Sequence, residues 1–209
     1  MSEPKGRVYG GLSEPERRAA RRARLVEAGL DLFGTEGWHA VTIERLCAGA
    51  SVATRSFYEE FPGRESLIQA VYDEVVRGAT LAVVAALGSA GPVLADRISA
   101  GVGAYLRHVT DDPRRAQVAY REVRAVGGLE QHRHEVMLGF AQLMETNLDG
   151  PVLPTEPDRR RVMTLALAGA VSEVLVDWVA APEPRPPLEP ICDELSRLFT
   201  AVLVPRDGG

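Results

Sequence analysis

Along most of this chain apolar residues recur at intervals of three and four, the spacing that puts one buried stripe on a helix. Leu25, Ala28, Gly29, Leu32 and Phe33 fall at i, i+3, i+4, i+7 and i+8. They predict a helix opened at Ser13, where Glu16 three residues on completes a capping-box signature and Pro15 is tolerated in the first turn. Gly34 and Gly37 are expected to end it, with Trp38 packing beneath the next corner. Ile43, Leu46 and Cys47 form a second, shorter stripe with Thr42 as its cap. Gly49, Ala50 and Ser51 then supply the small residues a sharp helix-to-helix corner requires. A third segment, Thr54 to Glu60, turns Phe57 and Phe61 inward and leaves Arg55, Ser56 and Tyr58 outside. Pro62-Gly63 stops it, and a long helix restarts near Arg64, carrying Val71, Val75, Gly78, Leu81, Val84, Ala85 and Leu87 to Gly88.

Gly91-Pro92 opens a further set of helices, read at about 93–109, 114–125, 128–148, 158–181 and 189–203. Their separators are Asp111-Asp112-Pro113, Gly127-Gly128, the loop from Asp149 to Pro157, and a semi-rigid linker from Ala181 to Pro190 that holds five prolines. A period-two strand pattern and an internal repeat are both missing. The expected fold is all-α: an N-terminal three-helix helix-turn-helix domain joined to a C-terminal helical domain. The bounds are a flexible arm at 1–12, the helix-turn-helix at 13–62 and the second domain at 63–209.

The chain has 209 residues, enough to bury a sizeable core. Nothing in residues 1–24 resembles a signal peptide, and the longest apolar runs, Leu81 to Leu87 and Leu165 to Val171, are too short to span a bilayer. A soluble, cytoplasmic protein is expected, with no membrane partner. Two cysteines, Cys47 and Cys192, stand 145 positions apart without a C-x-x-C, which argues against a disulfide framework or zinc site. His132 and His134 are two apart and lie on different sides of a helix. Neither metal nor cofactor is expected. The net charge is −5, yet residues 1–70 are balanced, with ten cationic and ten acidic side chains. Within residues 1–24, seven cations face only Glu3, Glu14 and Glu16, so the basic footprint is N-terminal. Lys5 and Arg7 lie in the arm; Arg17, Arg18, Arg21, Arg22 and Arg24 stud the first helix, where a helix crossing a DNA backbone needs charge.

A short helix that exposes Arg, hydroxyls and Tyr suits a DNA major groove, with hydroxyls reaching phosphate oxygens. Gly37-Trp38, Val41-Thr42-Ile43, Leu46-Cys47, the turn from Ala50 to Ser56, Phe57-Tyr58, Phe61 and Gly63-Arg64-Glu65-Ser66-Leu67 together resemble the N-terminal domain of TetR-family transcriptional regulators. The resemblance runs without a gap over about fifty residues. It implies a homodimer on a palindromic double-stranded DNA operator, most simply a repressor released by a small-molecule effector. Expected DNA contacts are Arg55 for base readout and Thr42, Ser56, Tyr58 and Arg64 for positioning the backbone, with Thr54 a further contact. It also implies dimerisation through the last two helices, 158–181 and 189–203, whose apolar faces (Val162, Leu165, Gly169, Ala170, Leu198 and Val202 among them) exceed what one chain easily covers.

Some positions depart from the family pattern. Ala53 stands where a Ser or Thr usually caps the recognition helix, Ser51 and Arg55 replace frequent glycines, and Glu60 replaces a common His, placing with Glu59 two carboxylates near the DNA backbone. Enzyme signatures are lacking: no nucleophile elbow, phosphate-cradling glycine loop or metal-ligand spacing stands out, and the chain is expected not to be an enzyme. Polar and adaptable groups in the middle helices, Tyr105, His108, Tyr120, Arg121, Glu122, Arg124, His134 and Met137, are candidates for a pocket between helices. Tyr105, Tyr120, Arg121, His134, Met137 and Trp178 are the residues expected to bind the effector. The alternatives are a helical ligand carrier or enzyme, or a protein-interaction module, that never meets DNA.

Overall fold

The computed structural model describes residues 13–147 and 153–203, and its regular structure is entirely helical. The helices are α1 (Glu14–Glu36), α2 (Ile43–Ala50), α3 (Thr54–Glu60), α4 (Arg64–Ser89), α5 (Leu94–Thr110), α6 (Pro113–Tyr120), α7 (Glu130–Asn147), α8 (Pro157–Ala180) and α9 (Leu188–Leu203), with a 3₁₀ turn at Glu122–Ala125 after α6. The arm at 1–12, with Lys5 and Arg7, and the loop residues 148–152 lie outside the described residues.

Local chemistry accounts for the N-terminal boundaries. Ser13 Oγ accepts the Glu16 N–H and the Glu16 carboxylate accepts the Ser13 N–H, closing the capping box. Thr42 Oγ1 accepts the Arg45 N–H at the start of α2. Ser51 ends α2 with φ +52°, a left-handed conformation that a side chain tolerates poorly. Ala53 precedes α3 and makes no side-chain cap. Leu25, Phe33, Val41, Leu46, Phe57 and Phe61 form the buried centre of this three-helix unit, and Leu67, Ile68 and Val71 at the start of α4 close it. Deleting a ring such as Phe57 from such a core costs about 3–5 kcal/mol.

Helices α5 to α9 build the rest. α4 packs on α5, α5 on α9, α7 on α8, and α6 lies across α1. Two expectations of the sequence change here. α1 does not stop at Gly34: it runs to Glu36 and ends at Gly37, φ +85°. Gly34 instead lets α6 approach, since a Cβ there would sit 2.6 Å from the Arg114 Cβ and 2.8 Å from its Cα. The helix expected over 114–125 is broken after Tyr120. Arg121 leaves helical geometry at φ −123°, ψ −62°, and the chain restarts as the 3₁₀ turn.

The longest apolar runs stay too short for a bilayer, but the helix that contains one of them is longer. By length and composition α8 could cross one, with a mean hydropathy of 1.7 over its most apolar window. The sequence runs concealed this because charged and small residues interrupt them. In the fold, α8 packs Leu167, Ala168, Leu175, Trp178 and Val179 into the core, while only 33% of that apolar window is buried.

Candidate DNA-binding face and ligand cavity

The outer face of α3 is built on the buried one. Phe57 is fully buried and packs on Phe61, with ring centroids 6.0 Å apart; Tyr58 meets Phe57 edge-on at 5.5 Å and projects outward. Arg55 is 92% exposed and its one ion pair, to Glu59 four residues on, is a 3.5 Å surface contact. Such pairs are weak, so the guanidinium is available to another partner. Thr42 and Thr54 are exposed, and Ser56 is half-buried.

Arg64 is placed differently from the others. Its guanidinium lies 4.4 Å from the centre of the Trp38 ring and one terminal nitrogen donates to the carbonyls of Trp38 and Val41. It braces the loop between α1 and α2, and a phosphate contact would have to use its remaining donors.

The basic face of α1 is also largely engaged within the domain. Glu60, expected beside the DNA backbone, has a side chain only 1% exposed; Arg18 and Arg21 donate to it at 3.1 and 2.7 Å. Burial alone would raise its carboxyl, but the hydrogen bonds from Arg21 and Arg18 outweigh this and hold it below the usual carboxylate range. Arg22 stacks 4.3 Å over Phe61 and donates to the Glu60 carbonyl, and Arg24 donates to the Ala50 carbonyl. These arginines clamp α1 onto α2 and α3.

A cavity of about 170 Å³ opens among the middle helices. Of the residues expected to bind a ligand, Tyr105, Tyr120 and Met137 line it; Arg121, His134 and Trp178 do not. Arg121 sits at the break after α6 and points to solvent, and His134 is on the exposed side of α7. Trp178 is buried beneath the proline-rich linker, where its indole N–H donates to the Pro186 carbonyl and Arg185 stacks on its ring. The Tyr105 and Tyr120 hydroxyls are hydrogen-bonded to each other, and Tyr105 packs edge-on against Phe140 at 5.1 Å. Burial pushes the Tyr105 phenol up to about 12 and drives those of Tyr120 and Tyr72 well above their ordinary value. All three are therefore neutral at physiological pH.

Sequence reasoning did not single out Tyr72, Arg97, Arg133 or Phe140, which also line the cavity. A signal was present for part of this set. Arg133, Val136, Met137, Phe140 and Met144 fall at i, i+3, i+4, i+7 and i+11, a single face of α7. In that 18-residue helix only Ala141 is fully buried, and the apolar face lines the void while packing at its edges on the core.

The 3₁₀ turn connects the two regions. Tyr120 and Arg124 line the cavity, while Glu122 between them is turned the other way. Its buried carboxylate accepts the Trp38 N–H at 2.7 Å, in the loop after α1, and the Gln117 side-chain amide at 3.0 Å. This is why the helix breaks at Arg121: a continuous helix would carry Glu122 away from Trp38.

An exposed polar helix on a three-helix corner, with a cavity among the helices beyond it, is the arrangement of a helix-turn-helix domain joined to a second helical domain. Residues 25–71 match the family described as bacterial regulatory proteins, tetR family. Several solved structures share the fold along nearly the whole chain. The fatty acid degradation regulator FadR from Bacillus halodurans aligns with a TM-score of 0.72 at 18% identity, covering 89% of this chain and 97% of that one. FadR from Bacillus subtilis, solved in complex with stearoyl-CoA, gives 0.73 at 15% identity, with 86% and 98% covered. The multidrug binding protein EbrR, complexed with imidazole, gives 0.63 at 20% identity, with 90% and 97% covered. No curated protein matches the chain in sequence.

Proposed function

We propose that this chain is a homodimeric transcriptional regulator of the TetR type, most simply a cytoplasmic repressor whose operator affinity is lowered by a small molecule in the cavity. It acts by binding, not by catalysis. The observation that carries the reading is the outer face of α3. Arg55 and Tyr58 stand exposed on a helix whose inner face is locked by Phe57 and Phe61. Residues 13–62 serve as the DNA-binding unit and 63–209 as the ligand and dimer unit. Arg55 reads a base edge, while Thr42, Thr54, Ser56, Tyr58 and the spare donors of Arg64 position the backbone.

Two copies would set their α3 helices about 34–36 Å apart, one turn of a palindromic operator. The apolar surface left on α8 and α9 supports pairing there. Val162 is 68% exposed, Leu198 and Val202 are exposed one turn apart on α9, and Gly169 would meet no neighbour even with a Cβ. Sedimentation of the protein should give a dimer, and Leu198→Asp should give a monomer that has lost operator affinity. That two of the similar structures hold stearoyl-CoA and imidazole supports an effector role for the cavity.

The test is protection of DNA upstream of the chain's own gene, followed by genome-wide fragment selection, across a salt series. Binding should weaken steeply as salt rises. Arg55→Ala and Tyr58→Phe should both weaken it, Arg55→Ala with relaxed sequence preference. Failure to select any fragment would overturn the reading.

A further inference from the structure

The polar groups facing the cavity are almost all donors. Arg97, Arg124 and Arg133 line it together with Tyr72, Tyr105 and Tyr120, and no Asp or Glu is among the described residues that line it. Arg124 is paired at 3.2 Å with Glu173, an exposed carboxylate on α8 outside the lining, and also donates to Ser172. Arg97 and Arg133 have no carboxylate within ion-pair distance among the described residues. Arg97 donates to the Asn147 carbonyl at 3.0 Å, and Arg133 reaches only the Val123 carbonyl, at 3.5 Å. A half-buried guanidinium beside apolar walls, without a counter-charge, is unfavourable until an anion arrives.

The cavity has two ends. α5 and α7 run antiparallel along it, since Arg97 meets Asn147 and Tyr105 meets Phe140. From Arg133 to Asn147 the α7 wall spans about 21 Å at 1.5 Å per residue. Arg124, Arg133, Tyr72 and Tyr120 gather at one end, and the Tyr72 phenol feels both guanidiniums. The walls between are Ile98, Val102, Phe140, Leu143 and Met144. In the hydroxyl pair of Tyr105 and Tyr120 one phenol donates to the other, so one proton is left over for a ligand oxygen.

We propose that the cavity binds an apolar organic anion, its hydrocarbon body along the α5–α7 walls and its carboxylate or phosphate head on the Arg133 guanidinium. A cationic amphiphile is disfavoured, because the lining offers it no carboxylate. The void is about the size that takes up benzene in a protein interior, so a body of about eight carbons is the fitting probe. The proposal rests on the effector reading only for the consequence of binding; binding itself is measured without DNA.

The experiment is calorimetric titration of the full chain with octanoate, octylamine, 1-octanol and octanoyl-coenzyme A, which share one body and differ in head. Octanoate or octanoyl-coenzyme A should bind at least tenfold tighter than octanol, and octylamine no tighter than octanol. The better of the two anions identifies the source of the head group. Arg133→Gln should cut the preference for the anion over octanol by about 10–100-fold, the worth of one charge-assisted hydrogen bond. Arg133→Lys should restore part of it, and Arg97→Gln at the far end should leave most of it. Octylamine binding as tightly as octanoate, an anion preference unchanged in Arg133→Gln, or no binding of any octyl probe would each overturn the proposal. A chain that prefers the anion but protects no DNA would leave this site standing and remove the regulator reading instead.

Discussion

At the scale of single residues, the sequence shows which groups are charged but not whom they face. Glu59 and Glu60 read as two carboxylates near DNA, and the arginines of α1 as a phosphate-facing stripe. Glu60 lies inside a clamp with Arg18 and Arg21, residues some forty positions away, and no local spacing announces such a pair. The Ala53 departure, by contrast, was legible: a cap was missing in the sequence and is missing in the fold. Ala53→Ser should add about 1 kcal/mol of stability, read as a rise in Tm, by satisfying one open amide of α3; no rise would mean that the amide already has a water partner of equal worth. The clamp has a pH signature. The folded Glu60 carboxyl is held below its unfolded value, so its contribution is present above the unfolded carboxylate range, near pH 4.3–4.5, and is lost as pH falls through the folded value. Glu60→Gln should therefore lower Tm at pH 7 by the equivalent of about 1–3 kcal/mol and show less further loss between pH 5 and 3 than the parent. Parallel pH curves for the two proteins would remove the clamp from the account.

Among the elements, those with a clear stripe or a cap were legible: α1 from its capping box, α2 from Thr42, α3 from its paired phenylalanines. Two misjudgements have one cause, since both come from contacts between the domains. Gly34 looks like a terminator in the sequence but serves as the place where α6 touches α1, and the helix over 114–125 is severed because Glu122 is needed at Trp38. The inward face of α7 was visible as a period but not as a cavity wall, because periodicity cannot tell a packed neighbour from a void. Glu122→Ala should leave the buried Trp38 amide and the Gln117 side chain without their acceptor, at a cost of about 1–3 kcal/mol. The change should also appear as altered Trp38 fluorescence with helix content retained by circular dichroism. An unchanged Tm and emission would show that the 3₁₀ turn holds its shape without this bond.

At the scale of the molecule, the two sites are joined by a short chain of contacts: the cavity wall at Tyr120 and Arg124, Glu122 between them, Trp38 beyond it, and the face of α1 against α6. For a ligand to alter DNA affinity it must bind two arrangements of these domains unequally, and the coupling it exerts is the same in both directions. The close approach at Gly34 is where that coupling can be tested without touching either site. A side chain there must displace the Arg114 backbone, because the nearest atoms to a new Cβ include its Cα at 2.8 Å and its carbonyl oxygen at 3.0 Å. Gly34→Leu should wedge α1 away from α6 while leaving the outward faces of α3 and the cavity walls as they are. Ligand affinity without DNA, and DNA affinity without ligand, are expected to stay within a few-fold of the parent. The factor by which ligand weakens DNA binding, expected at about 5–150-fold for a coupled pair of sites, should fall towards one. Measuring both affinities in both states closes the cycle. A Gly34→Leu protein with full coupling would mean that the signal runs through α4, the other element shared by the two domains, and would move the search to the Gly78–His108 contact of α4 with α5, where a Cβ on Gly78 would sit 2.5 Å from the imidazole.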